Sequence, residues 1–137
     1  MTESHQQIES ACIRVVLDAV HFVDSRQFDC FARCFSQRGS LYRPGNSVPL
    51  QGHKAIVDAY ESRPASRVTR HICSNMRVDI HSTISATVHS YVQLYAKDTA
   101  ADGPDEQPAL KIGEFEDACV LENGEWRISE RKARFVL

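Results

Sequence analysis

Two ionisable side chains stand at positions where the apolar pattern of the chain leads elsewhere. Asp24 extends the helical stripe Ile13, Leu17, Val20, which carries its carboxylate towards a buried or half-buried region at the end of a helix. His71 lies in a segment of period two, in phase with Thr69, Cys73 and Asn75. Where that phase faces inward, an imidazole and a carboxylate converge. A carboxylate that orients a histidine equips it to exchange protons near neutral pH, as a general base and then a general acid. Each residue also has a plainer reading. Asp24, three residues before Gln27, fits the capping box of a following helix. His71 fits an exposed strand position beside the polar Arg77 and Asp79. Periodicity does not decide which face of the strand at 67–81 looks inward.

Other chemistries find less support. The chain has no phosphate-binding glycine loop, no G-x-S-x-G elbow, no H-E-x-x-H and no paired C-x-x-C. Cys30 and Cys34 are one helical turn apart, but no second His or Cys pair of matching spacing accompanies them, and the six histidines are scattered. No metal and no cofactor are expected.

The elements that must position Asp24 and His71 follow from periodicity. Ile8 to Val23 repeats at helical spacing with apolar residues on more than one side, so this first helix is expected to be widely covered. A second helix would carry Phe28, Phe31, Ala32 and Phe35 inward and stop at Gly39. A short strand, Ser40 to Arg43, and a turn at Pro44-Gly45-Asn46 follow. A third helix runs from His53 to Arg63 with Ile56, Ala59 and Tyr60 on one face, closed by Pro64. From Arg67 the period changes to two. Strands are expected at 67–81, Ala86–Lys97, Leu110–Leu121 and Trp126–Val136, the last pair joined by the turn dipeptide Asn123-Gly124 and the middle pair by the polar loop Asp98–Pro108. Three helices and then long strands make an α+β domain with helices on one face of a curved antiparallel sheet, wrapped around the long N-terminal helix. Such a sheet leaves a hollow, a common place for a small molecule. Trp126 and Phe115 are read as core and interface residues.

Composition sets the outer limits. The 137 residues fit one domain spanning 1–137, and 42% hydrophobic with 25% charged residues is ordinary for a globular chain. A net charge of −2 and a pI near 6.3 argue against nucleic acid or an anionic membrane surface as partner. The longest apolar run, Ala118 to Leu121, is far too short to span a membrane. The polar segment Met1–Ser10 has no signal pattern, and five cysteines, an odd number in apolar segments, suit reduced core thiols; a cytoplasmic location is expected.

The runs Val23-Asp24-Ser25-Arg26-Gln27-Phe28-Asp29, Cys34-Phe35, Gly52-His53-Lys54-Ala55-Ile56, Arg70-His71-Ile72-Cys73-Ser74-Asn75, Gly113-Glu114-Phe115-Glu116-Asp117 and Gly124-Glu125-Trp126-Arg127-Ile128 together resemble the SnoaL-like branch of the nuclear-transport-factor-2-like superfamily. The resemblance covers nearly the whole chain. It implies a cone-shaped, cystatin-like fold with an internal cavity, often a homodimer through the sheet face, in a superfamily of dehydratases, isomerases, polyketide cyclases, dioxygenase small subunits and non-enzymatic binders. In the scytalone and bile-acid dehydratase group, an aspartate ending the first helix and a histidine on the first long strand form the catalytic pair, and Asp24 and His71 fall on those positions. Ala19 stands where the bile-acid type has a tyrosine. Tyr42, Tyr91 and Tyr95 are the candidates to polarise a carbonyl in its stead, each equally at home as a strand residue with its hydroxyl at the rim. Asn75 would donate to a substrate oxygen or to backbone. His21, one turn before Asp24, would contact it or water, or pair with Asp18 on the helix surface. Arg134 would close the mouth against an anion or lie at the surface.

Two functions follow. One is a cofactor-independent dehydratase, isomerase or cyclase acting by proton abstraction on a small apolar oxygenated molecule, polyketide-, steroid- or aromatic-like, with Asp24 and His71 at its centre. The other is a non-catalytic binding or assembly protein, such as a partner like a dioxygenase small subunit. A separation of Asp24 and His71 beyond about 6 Å without a bridging water would remove direct cooperation. A hollow filled by side chains would favour assembly.

Overall fold

Helix α1 (His5–Asp24) opens on a capping box: Ser4 Oγ accepts from the Gln7 N–H at 3.2 Å, and Gln7 Oε1 accepts from the Ser4 N–H at 2.7 Å. The computed structural model describes residues 3–137; Met1 and Thr2, which begin the polar N-terminal segment, lie outside them. The helix buries Ile8, Cys12, Val15, Val16, Ala19 and Val23 in the main core, and Val20 against Val92 and Phe115 in a smaller cluster. Of the second stripe only this far end turns inward, since Leu17 is exposed.

Helix α2 (Phe28–Arg33) is shorter than the spacing predicts, and Phe35 begins strand β1 (Phe35–Tyr42) instead of ending the helix. All four residues of the expected stripe are buried, which is why the spacing reads as helical. The sheet captures the chain first: the Cys34 carbonyl accepts from the Ile128 N–H at 2.8 Å. Gly39 is a close-approach residue in an irregular stretch of β1, not a helix stop; a Cβ there would lie 3.0 Å from Phe35 Cβ and from the Ser36 carbonyl. After β2 (Leu50–Gln51), α3 (Gly52–Glu61) buries Ile56 and Tyr60, and the Phe31 ring meets Tyr60 edge-on at 5.0 Å and Phe35 at 5.4 Å.

The remaining strands are β3 (Arg67–Ser82), β4 (Ser85–Asp98), β5 (Ala109–Glu122) and β6 (Glu125–Phe135). They form one open six-stranded sheet in the order β2-β1-β6-β5-β4-β3. Its neighbours are antiparallel except β1 and β6, which are parallel, so the sheet is mixed. Asn123 and Gly124 both have positive φ, 52° and 80°, the geometry of a primed hairpin turn. Helix α1 crosses one face of the sheet against β3, β4 and β6, and α2 and α3 pack together at the β1 end. No described helix is long and apolar enough to cross a membrane.

Two irregularities decide which side chains face the helices. In β3 the register slips between Ser74 and Arg77, with Asn75 at φ 53°. Before the slip Thr69, His71 and Cys73 turn inward; after it Met76, Val78 and Ile80 do. A strict period of two groups Val68 and Ile72 with the later apolar residues, yet they are 41% and 48% exposed. A second slip, opposite Ala118 and Cys119, switches β6 from Trp126 and Ile128 to Arg131 and Ala133.

Candidate active site

Because α1 ends on Asp24 and β3 enters with Thr69 and His71 inward, the carboxylate lies directly against the strand. The His71 N–H donates to Oδ2 at 2.7 Å, the Thr69 hydroxyl donates to Oδ1 at 2.8 Å, and His71 Nδ1 lies 2.6 Å from Oδ1. Both side chains are largely buried. Asp24 therefore does not cap α2, whose N-cap Gln27 has no side-chain cap bond and instead donates through Nε2 to Ser25 Oγ. A carboxylate only accepts, so Nδ1 is the ring nitrogen that carries hydrogen in the neutral imidazole, and Nε2 is left with its lone pair. Nε2 makes no hydrogen bond among the described residues.

His71 lines a pocket of about 350 Å³ between the inner sheet face and the helices. Its apolar walls include Val20, Val23, Phe31, Val92, Leu94 and Phe115, with His71, Tyr60 and Arg131 as polar members. Asp24 stands behind the histidine and does not line the space. Phe115, expected in the core, is buried and walls the pocket as well; Trp126 is buried.

Arg131 is a functional candidate that sequence reasoning missed. Its Nε and Nη2 donate to the two Asp117 oxygens at 2.7 and 3.2 Å, and its guanidinium lies 4.1 Å from the Phe115 ring centre. Both residues are fully buried. Burial pushes the Asp117 carboxyl up, against the pull of Arg131; burial also works against the guanidinium, but the charge and hydrogen bonds of Asp117 outweigh it and hold Arg131 up. Nη1 has no hydrogen-bond partner among the described residues. Asp117 was visible as an acid in phase with Phe115 and Cys119, whereas the slip in β6 hid Arg131. Tyr60 was read as a helix-packing residue.

The other expected contacts are absent from this pocket. Tyr42 alternates with Leu41, which lines the space, and so points the other way. Tyr91 and Tyr95 lie on the outer sheet face, the latter donating to Gln93 Oε1 at 3.2 Å. The slip in β3 turns Asn75 outward too, out of phase with His71. Asn75, Tyr91 and Arg134 belong to an outer groove of about 700 Å³, where Arg134 pairs with Glu114. His21 is exposed on α1, its ring beside Phe22, and makes no side-chain hydrogen bond or ion pair with Asp24 among the described residues. Cys34 Sγ donates to the Cys30 carbonyl at 3.5 Å, and all five cysteines are free. Burial pushes the Cys73 thiol, beside the site, up to about 11.

The sequence profile of the SnoaL-like domain matches residues 6–132. No curated protein matches this sequence. Among solved structures, a putative scytalone dehydratase from Novosphingobium aromaticivorans is 22% identical, with a TM-score of 0.82 over 96% of this chain and 87% of its own. ActVI-ORFA from Streptomyces coelicolor is 18% identical, with a TM-score of 0.78 over 94% and 98% of the two chains. A protein of unknown function with a cystatin-like fold from Nostoc punctiforme is 17% identical, with a TM-score of 0.75 over 98% and 95%. These likenesses show the fold.

Proposed function

The chain belongs to the SnoaL-like domain family, and from that premise we propose that it is a cofactor-independent dehydratase, isomerase or cyclase acting on a small, largely apolar, oxygenated molecule. The observation that carries this reading is the 2.6 Å approach of Asp24 to His71 Nδ1, which leaves Nε2 free at the wall of an open pocket. The likeness to a putative scytalone dehydratase supports it. A substrate C–H beside a carbonyl, held within about 3 Å of Nε2, gives its proton to that nitrogen. The C–H electron pair becomes a carbon–carbon double bond as the carbonyl π pair moves onto its oxygen, where Arg131 Nη1 and the Tyr60 hydroxyl are the available donors. Asp24 holds the tautomer and stabilises the imidazolium. Nε2 then returns its proton, to a departing hydroxyl that leaves as water or to another carbon, and regains its lone pair.

The unfilled pocket favours this over the assembly reading. The test is elimination of 5-nitrobenzisoxazole, whose ring opens when a base removes its carbon-bound proton. His71→Gln is expected to lower the rate roughly 10²-fold with an unchanged circular dichroism spectrum. An undiminished rate sinks the proposal. The protein is further proposed to act in the cytoplasm, where its free thiols stay reduced, and as a homodimer through the outer sheet face.

A further inference from the structure

Every charged group on the pocket wall is a cation: Arg43, Arg63, Arg67 and Arg131 line it beside His71, and no carboxylate does. Asp117 neutralises Arg131 and Asp24 engages His71. Arg43, Arg63 and Arg67 have no carboxylate within ion-pair distance among the described residues. The cross-strand partner of Arg67 is Asp98, whose Oδ1 accepts from the amides of Ala100 and Ala101 at 3.0 and 3.3 Å. All three arginines are half-buried, and the Arg63 guanidinium sits 4.3 Å from the Tyr60 ring centre. Burial lowers Arg63 from its ordinary range, and the charges of Arg67 and Arg43 lower it further, against the opposing effect of Tyr60.

The cluster is also held in place. The Arg26 guanidinium donates to the carbonyls of Arg63 and Pro64 at 3.1 and 3.2 Å, and the Arg67 N–H donates to Pro64 at 3.0 Å. The turn carrying Arg43 is closed by the Asn46 N–H on the Arg43 carbonyl at 3.0 Å. Gathering like charges at a half-dry rim is unfavourable until an anion arrives, and the guanidinium fork matches an oxyanion with two hydrogen bonds.

We propose that the substrate is an organic anion whose apolar body fills the pocket while a carboxylate, sulfonate or phosphate group is bound at the rim by Arg43, Arg63 and Arg67. This rests on the pocket being the reaction site. Arg67 and His71 share the inner phase of β3 four residues apart, about 13 Å along the strand. The acid group and the carbon that loses its proton are therefore held from different positions of the strand.

The test compares two fluorescent probes of one skeleton: 8-anilinonaphthalene-1-sulfonate and the uncharged N-phenyl-1-naphthylamine. The sulfonate is expected to bind at least tenfold more tightly at low salt, and added NaCl to weaken it alone. Arg43→Gln and Arg67→Gln together are expected to abolish the preference while leaving binding of the uncharged probe intact, which controls for folding. His71→Gln is expected to retain the preference, so anion binding and proton transfer fail separately. Equal affinities, no binding of either probe, a preference that survives the double variant, or one lost on Arg134→Gln in the outer groove would each overturn the proposal.

Discussion

The carboxylate of Asp24 accepts three hydrogen bonds from a single strand, and its partners separate its two tasks: the His71 N–H and Thr69 hydroxyl fix it to β3, and Nδ1 is what it directs. Asp24→Asn preserves shape but places an amide N–H₂ near Nδ1, which favours hydrogen on Nε2, the wrong tautomer for a base. Elimination of 5-nitrobenzisoxazole is expected to fall by 10² or more in a variant that keeps its circular dichroism spectrum; a rate within twofold of wild type would remove Asp24 from the mechanism. Asp24 was legible because it continues an apolar helical stripe with a carboxylate, and His71 because it shares a period-two phase that could turn inward beside it. Thiols offer a second check at this scale. Burial pushes Cys34 and Cys73 up from 9.0 to about 11, so the unfolded chain loses those protons first as pH rises. The stability they contribute is complete below pH 9 and lost towards pH 11. Thermal melts under reducing conditions are expected to show a shallower alkaline decline for Cys34→Ala/Cys73→Ala than for wild type.

At the scale of the element, the slip in β3 does more for the site than any propensity. Without it, an inward His71 would require Asn75, Arg77 and Asp79 inward as well, and Met76, Val78 and Ile80 would lose their core positions. The strand satisfies both halves by spending one irregular step, for which Asn75 adopts the left-handed conformation that asparagine and glycine tolerate. Asn75→Gly is expected to stay within about 0.5 kcal/mol of wild type in urea unfolding, whereas Asn75→Val costs about 1–3 kcal/mol. Equal losses would mean that the side chain, not the backbone, holds the step. This explains why Asn75 was misplaced from sequence: period two is a local rule, and one inserted residue reverses it for everything beyond. Tyr91 and Tyr95 lie outward for a plainer reason, since β4 alternates regularly and they stand opposite its apolar phase. An asparagine in the middle of a strand-forming segment was the available signal. The boundary of α2 failed for a different reason, since Phe28, Phe31, Ala32 and Phe35 are buried in helix and strand alike.

At the scale of the whole molecule, the order of helices and strands made the α+β class readable, while the parallel pairing of β1 with β6 depends on contacts too distant in sequence for periodicity to report. The same architecture leaves one sheet face without helices. By register, Ile72, Gln93 and Ile112 stand side by side there, flanked by Tyr91, Tyr95 and Leu110. Ile72, Tyr91 and Leu110 are 48%, 55% and 48% exposed, an apolar row a monomer would hold against water. If two copies bury this face, Ile72→Arg should shift the mass seen by light scattering from dimer to monomer without altering the elimination rate, because His71 faces the opposite side of the strand. A wild-type chain that is monomeric at every accessible concentration would leave the face to solvent. A monomerising variant that also lost activity would mean instead that the sheet's curvature, and with it the pocket, depends on the second copy.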